Sequence, residues 1–484
     1  MNELIPLMVI FPIAAALLIN LFGFKSTFVK YISIIVAFII PIIPLASNFG
    51  LHYFGGHAPL ESSLSGILYH TAITYSFTAF EQLFIFILGI LGFFVVLIYV
   101  NSYKKASGPY LFLLFMGIAA VSALILSDDI FHMFVFFEIA AIVQVGIVAA
   151  STIKDRYEIA LKYMIVGSIG SPIILLGIAF LLAIFGNVNI TDIVNMINAG
   201  FPAASSPVFF ASLALIFFGW LYTAGLPPFH TAKSGIYSGA EPQGAALLQA
   251  FSVITMVSIL IAMVRIFSGL EIFNVILVAF SLLAMILSIT MALVQTDFKR
   301  MIAFLAVGEL GFIGLGMGIG TELSMTAGLF QAVNEMVITA LLFIGFGAIA
   351  VVCKTTDINK LGGLISDYPK TAIMVLIGGF AMAGVPPLNG FQSKLMLVQS
   401  ALNAGYPEFA IIIVLISIAT FVVFVKVFYL MFLKTKPKAL EVSGEKIPKS
   451  TIITLAVFLI ICITLGLFPS IATDTISGFV GGLL

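Results

Sequence analysis

The sequence predicts an all-α polytopic membrane protein of about 14 transmembrane helices, with the seventh and twelfth broken. Three observations carry this. Of 484 residues, 62% are hydrophobic and 9% charged, against about 25% charged in a soluble domain. No soluble fold could hide that much apolar surface. Apolar runs of about 20 residues, enough to cross a bilayer, recur along the chain. The phrase Ala224-Gly225-Leu226-Pro227-Pro228-Phe229-His230 returns as Ala383-Gly384-Val385-Pro386-Pro387-Leu388-Asn389, and each copy is followed by a lysine, Lys233 and Lys394. Two successive prolines remove two backbone donors and break a helix. Lipid tolerates such a break only where protein or a water-filled cavity covers the freed backbone. Pro-broken segments at matching places in two halves point to a transporter built from repeats.

In chain order, the first two spans run over about 4–23 and 28–49. The start, Met1-Asn2-Glu3, lacks the basic residues of a cleavable signal, so the first segment reads as a retained span. A polar, histidine-containing loop to about residue 76 is a candidate cover for the outer face. Spans three to six lie near 80–100, 110–127, 130–151 and 159–185. The seventh enters near 207, breaks at the first Pro-Pro and resumes towards 238. Spans eight to eleven lie near 243–267, 272–294, 300–320 and 325–352. The twelfth runs from about 371 through the second break to about 404, and the last two lie near 408–433 and 451–472. Residues 186–206 form an outer loop and 434–450 a basic inner one. No stretch suggests a separate soluble domain, and no lateral helix is expected after the last span.

The basic residues support this order. With both termini outside, the inner loops hold Lys25, Lys30, Lys104, Lys105, Lys154, Arg156, Lys162, Lys233, Lys299, Arg300, Lys354, Lys360, Lys370, Lys434, Lys436, Lys438, Lys446 and Lys449. The outer loops hold only Arg265, and Lys394 and Lys426 fall inside spans. That is the bias of the positive-inside rule. Basic and acidic residues balance at 21 each, which gives no sign of a nucleic-acid partner. The two cysteines, Cys353 and Cys462, have neither C-x-x-C nor zinc spacing, so no iron–sulfur centre, cofactor or catalytic centre is expected in this chain.

Five ionisable groups remain inside spans: Glu138, Glu309, Glu335, Lys394 and Lys426. Each costs roughly 2.5–3.5 kcal/mol at mid-membrane, in total on the order of a whole domain's stability. Such a cost persists when the groups meet in a hydrated interior and carry protons or ions. The competing reading is a set of buried ion pairs that lock helices together. Glu138 has only apolar neighbours, so it is either a carrier or a neutral helix contact. Lys394 follows the second break, at the positive end of a resumed helix; the competing reading is a lysine reaching the interface. Lys426 lies about two turns from the inner surface and can snorkel. Glu309 and Glu335 sit among small and polar residues (Gly308, Gly311, Asn334, Thr339) that permit close helices and water. His230, after the first break, is a local cap or a functional group. His132 with Asp128 and Asp129 forms an outer rim. Asp297, Lys299 and Arg300 flank the inner start of the tenth span, and Glu241 is a first-turn acid of the eighth.

The chain resembles the antiporter-like proton-translocating subunits of respiratory complex I. Multisubunit cation/proton antiporters and complex I-related membrane-bound hydrogenases or sulfur reductases share that family. The matching stretches are Phe137-Glu138, Ala160 to Tyr163 through Gly177, Gly225 to His230, Asp297 to Ala303, Ala340 to Phe343 and Pro386 to Lys394. The resemblance implies two inverted five-helix repeats, spans 4–8 and 9–13, centred on the broken helices. It implies four segments: 1–105 with three helices and an outer loop, the repeats at 106–270 and 271–434, and 435–484 with an inner loop and final helix. It further implies a mid-membrane line of residues relaying protons, read here as Glu138, Thr223, His230, Glu309, Glu335, Lys394 and Lys426.

There are departures. Family members usually place a lysine just before the first Ala-Gly, where Thr223 stands, and a lysine or histidine inside the eighth span, where this chain has none between Gln249 and Arg265. In the eleventh span Glu335 and Thr339 stand where a histidine or lysine is usual. The first half is therefore expected to lack the lysine that partners its glutamate. The resemblance implies a proton- or sodium-moving subunit of a redox-driven complex in a prokaryotic plasma membrane, of the archaeal hydrogenase or sulfur-reductase type. Its partners would be other membrane and peripheral subunits, which would carry iron–sulfur and metal centres. The alternatives are a subunit of a non-redox cation/proton antiporter and a degenerate structural subunit.

Overall fold

The computed structural model describes residues 4–21, 26–48, 60–63, 74–102, 107–267, 269–437 and 446–483. Lys25, Lys104, Lys105, Lys438 and most of the 50–76 loop lie outside the described residues. The chain is a bundle of helices: α1 (Leu7–Leu21), α2 (Ser26–Ile39), α3 (Ile42–Asn48), α4 (Ala79–Ser102), α5 (Gly108–Leu126), α6 (Ile130–Ala149), α7 (Arg156–Phe185), α8 (Ile190–Asn198), α9 (Pro207–Ala224), α10 (His230–Gly239) and α11 (Pro242–Phe267). The second half continues with α12 (Glu271–Val294), α13 (Phe298–Ile319), α14 (Glu322–Cys353), α15 (Leu364–Asp367), α16 (Pro369–Ala383), α17 (Asn389–Asn403), α18 (Pro407–Phe428), α19 (Lys449–Leu467) and α20 (Ser470–Gly481).

Among the described residues, 11 helices are long and apolar enough to cross a membrane. Three shorter apolar helices, Leu7–Leu21, Pro207–Tyr222 and Pro369–Ala383, stand where the sequence places spans one, seven and twelve. Length alone therefore accounts for fewer spans than the expected 14. For two of these three the reason is local: the Pro-Pro breaks leave α9 and α16 short, each continued by a second piece.

Three stretches read as unstructured have structure. The loop after α3 contains an antiparallel ladder, β1 (Leu60–Ser63) with β2 (Thr74–Phe77), in the register Leu60↔Phe77. The 186–206 loop folds into α8 and a 3-10 turn. The residues after the last span form α20, whose Phe479 ring stacks on Phe80 of α4 at 4.0 Å.

Both breaks are built alike. Gly225 and Gly384 end α9 and α16 in the left-handed region, at φ 68° and 77°, a conformation that favours glycine at a helix end. The next amides reach back five residues, Leu226 N–H to Leu221 O at 3.1 Å and Val385 N–H to Phe380 O at 2.9 Å. Orphan carbonyls that lipid could not satisfy are thereby bonded. The Pro227–Pro228 and Pro386–Pro387 bonds are both cis.

A second pair of features repeats from opposite ends of the bundle. Asp129 caps α6 and forms a lone antiparallel bridge with Asn189. Asp297 caps α13 and forms the same bridge with Asp357. Around the first, Ile130 N–H bonds Val188 O and Ile190 N–H bonds Asp128 O; around the second, Phe298 N–H bonds Thr356 O and Ile358 N–H bonds Thr296 O. One turn follows α7 and the other follows α14, and the helices between them place the turns at opposite ends. This is the arrangement an inverted repeat requires.

Helices α11, α13 and α14 form the centre and are buried on nearly all sides. Close backbone approach permits this: a Cβ on Gly316 would stand 2.7 Å from the Gly328 Cα. Helices α7, α12 and α18 instead present large apolar side chains outward, such as Ile169, Val275 and Leu415, the face expected against lipid.

Alanine at Gly225 or Gly384 should cost about 1–2 kcal/mol through left-handed strain. The expected readout is a lower apparent thermal midpoint of the detergent-solubilised chain. Gly478→Ala, in a helix with open space around it, should leave the midpoint unchanged or higher.

Candidate functional site

The second break places one lysine. Lys394, in the second turn of α17, points back over the cap. Its Nζ donates to Met382 O at 2.6 Å and pairs with Glu309 Oε1 of α13 at 2.9 Å. Both side chains are about 5% exposed or less. The ammonium also lies 4.5 Å from the Phe312 ring centroid, close enough for a cation–π contribution. Two desolvated charges hold together only when their remaining lone pairs and protons are also bonded, and here they are. Gln331 Nε2 donates to Glu309 Oε2 at 2.7 Å, and Ser393 Oγ donates to Gln331 Oε1 at 2.5 Å. Asn334 Nδ2 donates to the Asn389 carbonyl at 3.1 Å, and Asn389 Nδ2 donates to Asn334 Oδ1 at 2.9 Å. Amides of α14 thus fix the first turn of α17.

The polar line continues towards the first half. Glu335 follows Gln331 by four residues on α14, so the two share a face. It is fully buried. Its Oε1 accepts from Gln249 Nε2 of α11 at 2.9 Å, and the Thr339 hydroxyl donates to its backbone carbonyl. Ser252, three residues along α11 from Gln249, donates to Leu248 O at 2.9 Å, and its Oγ lies 3.4 Å from Gln144 Oε1 of α6. The same Gln144 oxygen lies 3.5 Å from Lys233 Nζ of α10, which donates to the Tyr163 hydroxyl of α7 at 3.1 Å. Lysine, amide, carboxylate and hydroxyl groups therefore cross the bundle from α7 to α17.

Of the residues expected from sequence, Glu309, Glu335 and Lys394 come together. Glu138 is half-buried on α6, faces Ser171 of α7 and makes no ion pair among the described residues. Its Oε1 has no hydrogen-bond partner there. Ser171 Oγ lies 3.4 Å from the Tyr222 hydroxyl, and the Tyr222 and Tyr163 rings are 6.4 Å apart. His230 opens α10, buried, with neither ring nitrogen hydrogen-bonded among the described residues. Thr223 lies in α9, and its side chain is outside the described residues.

Two expectations need correction. Lys233 is not an inner-loop lysine: it is fully buried. The first half therefore does hold a lysine, beyond the break rather than before it. The expected seventh span reaches about 238 and already contains Lys233; only the polar composition of 230–239 places that lysine with the inner-loop charges. Lys426 does not join the line. It is exposed near the end of α18, where its long stem can carry the charge outward. Gln144, Gln249 and Gln331 were missed altogether. Their signal was uncharged amides inside apolar spans, which carry no formal cost of charge to draw attention.

The rim residues have structural partners. Arg265 donates to Asp128 Oδ1 at 2.6 Å and to Thr191 Oγ1 at 2.7 Å, tying α11 to the turn before α6 and to α8. At the other end, Glu241 accepts from the Thr152 amide and hydroxyl at 3.2 and 3.1 Å, while Lys299 donates to Ala240 O at 2.8 Å. The Tyr75 hydroxyl lies 3.1 Å from His132 Nε2. Burial pushes the Tyr75 phenol up to about 12, so it keeps its proton to donate.

A helical bundle with two broken helices and a buried line of lysines, carboxylates and amides defines an antiporter-like membrane subunit. The model of the family "NADH:quinone oxidoreductase/Mrp antiporter, TM" matches residues 127–421, and the chain belongs to that family. Protein MJ1309 of Methanocaldococcus jannaschii is 38% identical over 98% of this chain and 97% of its own length. Among solved structures, a chain of the Mrp complex from Dietzia sp. DQ12-45-1b superposes with TM-score 0.91 at 20% identity, covering 100% of this chain and 97% of that one. A chain of the membrane-bound sulfane sulfur reductase, an archaeal respiratory membrane complex, gives 0.88 at 24% identity, covering 99% and 97%. Both of these solved chains are parts of multisubunit membrane complexes.

Removing one member of the Glu309–Lys394 pair should destabilise the chain by about 3–5 kcal/mol, because the other is left buried and uncompensated. Glu309→Gln should lower the apparent thermal midpoint more than the double change Glu309→Gln with Lys394→Met. Lys426→Ala should shift stability by no more than about 0.5 kcal/mol.

Proposed function

We propose that this chain is the proton- or sodium-translocating subunit of a redox-driven membrane complex related to complex I, of the archaeal membrane-bound hydrogenase or sulfur-reductase type. The observation that carries the reading is the buried polar line of two hydrogen-bonded groups, Lys394–Glu309–Gln331 and Glu335–Gln249, which meet where Gln331 and Glu335 share one face of α14. A lock between two helices needs one ion pair. Carboxylates, amides and lysines spread over several helices suit stepwise transfer of a proton or small cation. Residues 106–270 and 271–434 act as two half-pathways meeting at Gln249 and Glu335. Glu138 is the outlying carboxylate of the first half, with Thr223 and His230 beside the break.

The chain would contribute no redox centre. Partner subunits, membrane and peripheral, would carry the iron–sulfur and metal centres and deliver the driving energy. The complex would sit in a prokaryotic plasma membrane with both ends of this chain outside. A second reading, a subunit of a non-redox cation/proton antiporter, is favoured by the likeness to the Mrp complex chain. The two readings differ in partners.

Purification of the intact complex through a tag on this chain tests the choice. Iron and a paramagnetic iron–sulfur signal in co-purifying subunits are expected; their absence from an active complex would favour the antiporter. For the transport role, Glu309→Gln, Lys394→Ala and Glu138→Gln in the assembled complex should each lower ion uptake into vesicles by about a hundredfold, the scale of losing one proton-transfer group. Undiminished uptake in all three would overturn the role of this chain in translocation.

A further inference from the structure

We propose that Lys233 is the ion-exchanging group of the first half and the positional counterpart of Lys394. The inference rests on reading the chain as an ion translocator. Each sits on the resumed piece of a broken helix, eight residues past Gly225 and ten past Gly384. Each folds its stem back over the left-handed glycine that ends the preceding piece. A Cβ on Gly225 would stand 2.8 Å from Lys233 Cγ, and one on Gly384 would stand 3.1 Å from Lys394 Cδ. The two breaks thus hold their lysines by the same device, a bare backbone on which an alkyl stem rests.

The lysines differ in what they meet. Lys394 has Glu309 at 2.9 Å. Lys233 makes no ion pair among the described residues; it faces the neutral Tyr163 hydroxyl and Gln144 Oε1, with the Tyr163 and Tyr237 ring centroids at 5.4 and 5.7 Å. A lysine that merely locks helices needs an acid to lock against, and a permanent unpaired ammonium at mid-membrane is costly. A group that takes up and releases a proton, or trades it for a cation, escapes that cost during part of each cycle. The route onward runs from Gln144 to Ser252, along one face of α11 to Gln249, and on to Glu335. Along it, Gln144 Nε2, Gln249 Oε1 and Glu335 Oε2 are buried with no hydrogen-bond partner among the described residues. Native interiors seldom leave such capacity unused without a reason: the Glu335 carboxylate can take up and release a proton, and the two amides offer a free donor and a free acceptor to a passing ion. On the far side, Tyr163 leads through Tyr222 and Ser171 towards Glu138.

The test uses the whole complex, purified through this chain and reconstituted in proteoliposomes under an imposed pH or sodium gradient. Proton movement is read with an internal pH dye and sodium with the radioactive ion. Lys233→Met should assemble normally and lose transport by about a hundredfold, and Lys233→Arg, whose guanidinium keeps its charge and cannot release a proton, should not restore it. Lys394→Met is measured alongside. Loss in Lys394→Met with full transport in Lys233→Met would overturn the role of Lys233 alone. Full transport in both would overturn the translocation reading, and this inference with it. If Lys233→Met fails to assemble, Lys233→Arg and Tyr163→Phe decide: assembled complex with severalfold lower transport supports the role, and wild-type transport in both overturns it.

Discussion

The constraint on which this molecule depends is the lack of water at mid-membrane. Every backbone and side-chain polar group there must find a protein partner or be costly. The Glu309–Lys394 pair meets that demand in full: Met382 O, Gln331 and the Phe312 ring complete what the ion pair leaves open. It can do so because the α16–α17 break frees a carbonyl beside the lysine. A continuous helix would have bonded Met382 O internally. The break therefore supplies an acceptor where a charge must sit.

The same demand explains the central helices. Close packing of α11, α13 and α14 brings Gln249, Glu309 and Glu335 within one buried layer, and amides lie between the charged groups. An amide both donates and accepts, so it can bond a carboxylate on one side and a hydroxyl on the other. Gln331 does this with Glu309 and Ser393. Replacing it with a carboxylate would put like charges beside each other; replacing it with leucine would strand both neighbours.

Much of this was legible in the sequence. The doubled Pro-Pro phrase marked both breaks, and rare charges in apolar runs marked Glu309, Glu335 and Lys394. What was not legible has physical causes. Lys233 was misplaced because hydropathy reports composition, and a short polar helix wrapped in protein has the composition of a loop. Lys426 was overvalued because sequence gives depth along a helix but not which face a residue occupies. The amides were overlooked because their contribution depends on who sits opposite, which only the packing decides. The hairpin before α4 and the terminal α20 were missed because neither is long or apolar enough to signal itself.

The way the two lysines rest on their cap glycines has an evolutionary corollary. A four-carbon stem reaches about 6 Å, more than one helical turn of rise. A cation can therefore hold its location in space while its codon drifts several positions, even across a chain break. Alignments scored column by column would record such a half as having lost its lysine. Counting functional and degenerate members of a repeat family then calls for comparing volumes of space, with each glycine cap as the origin.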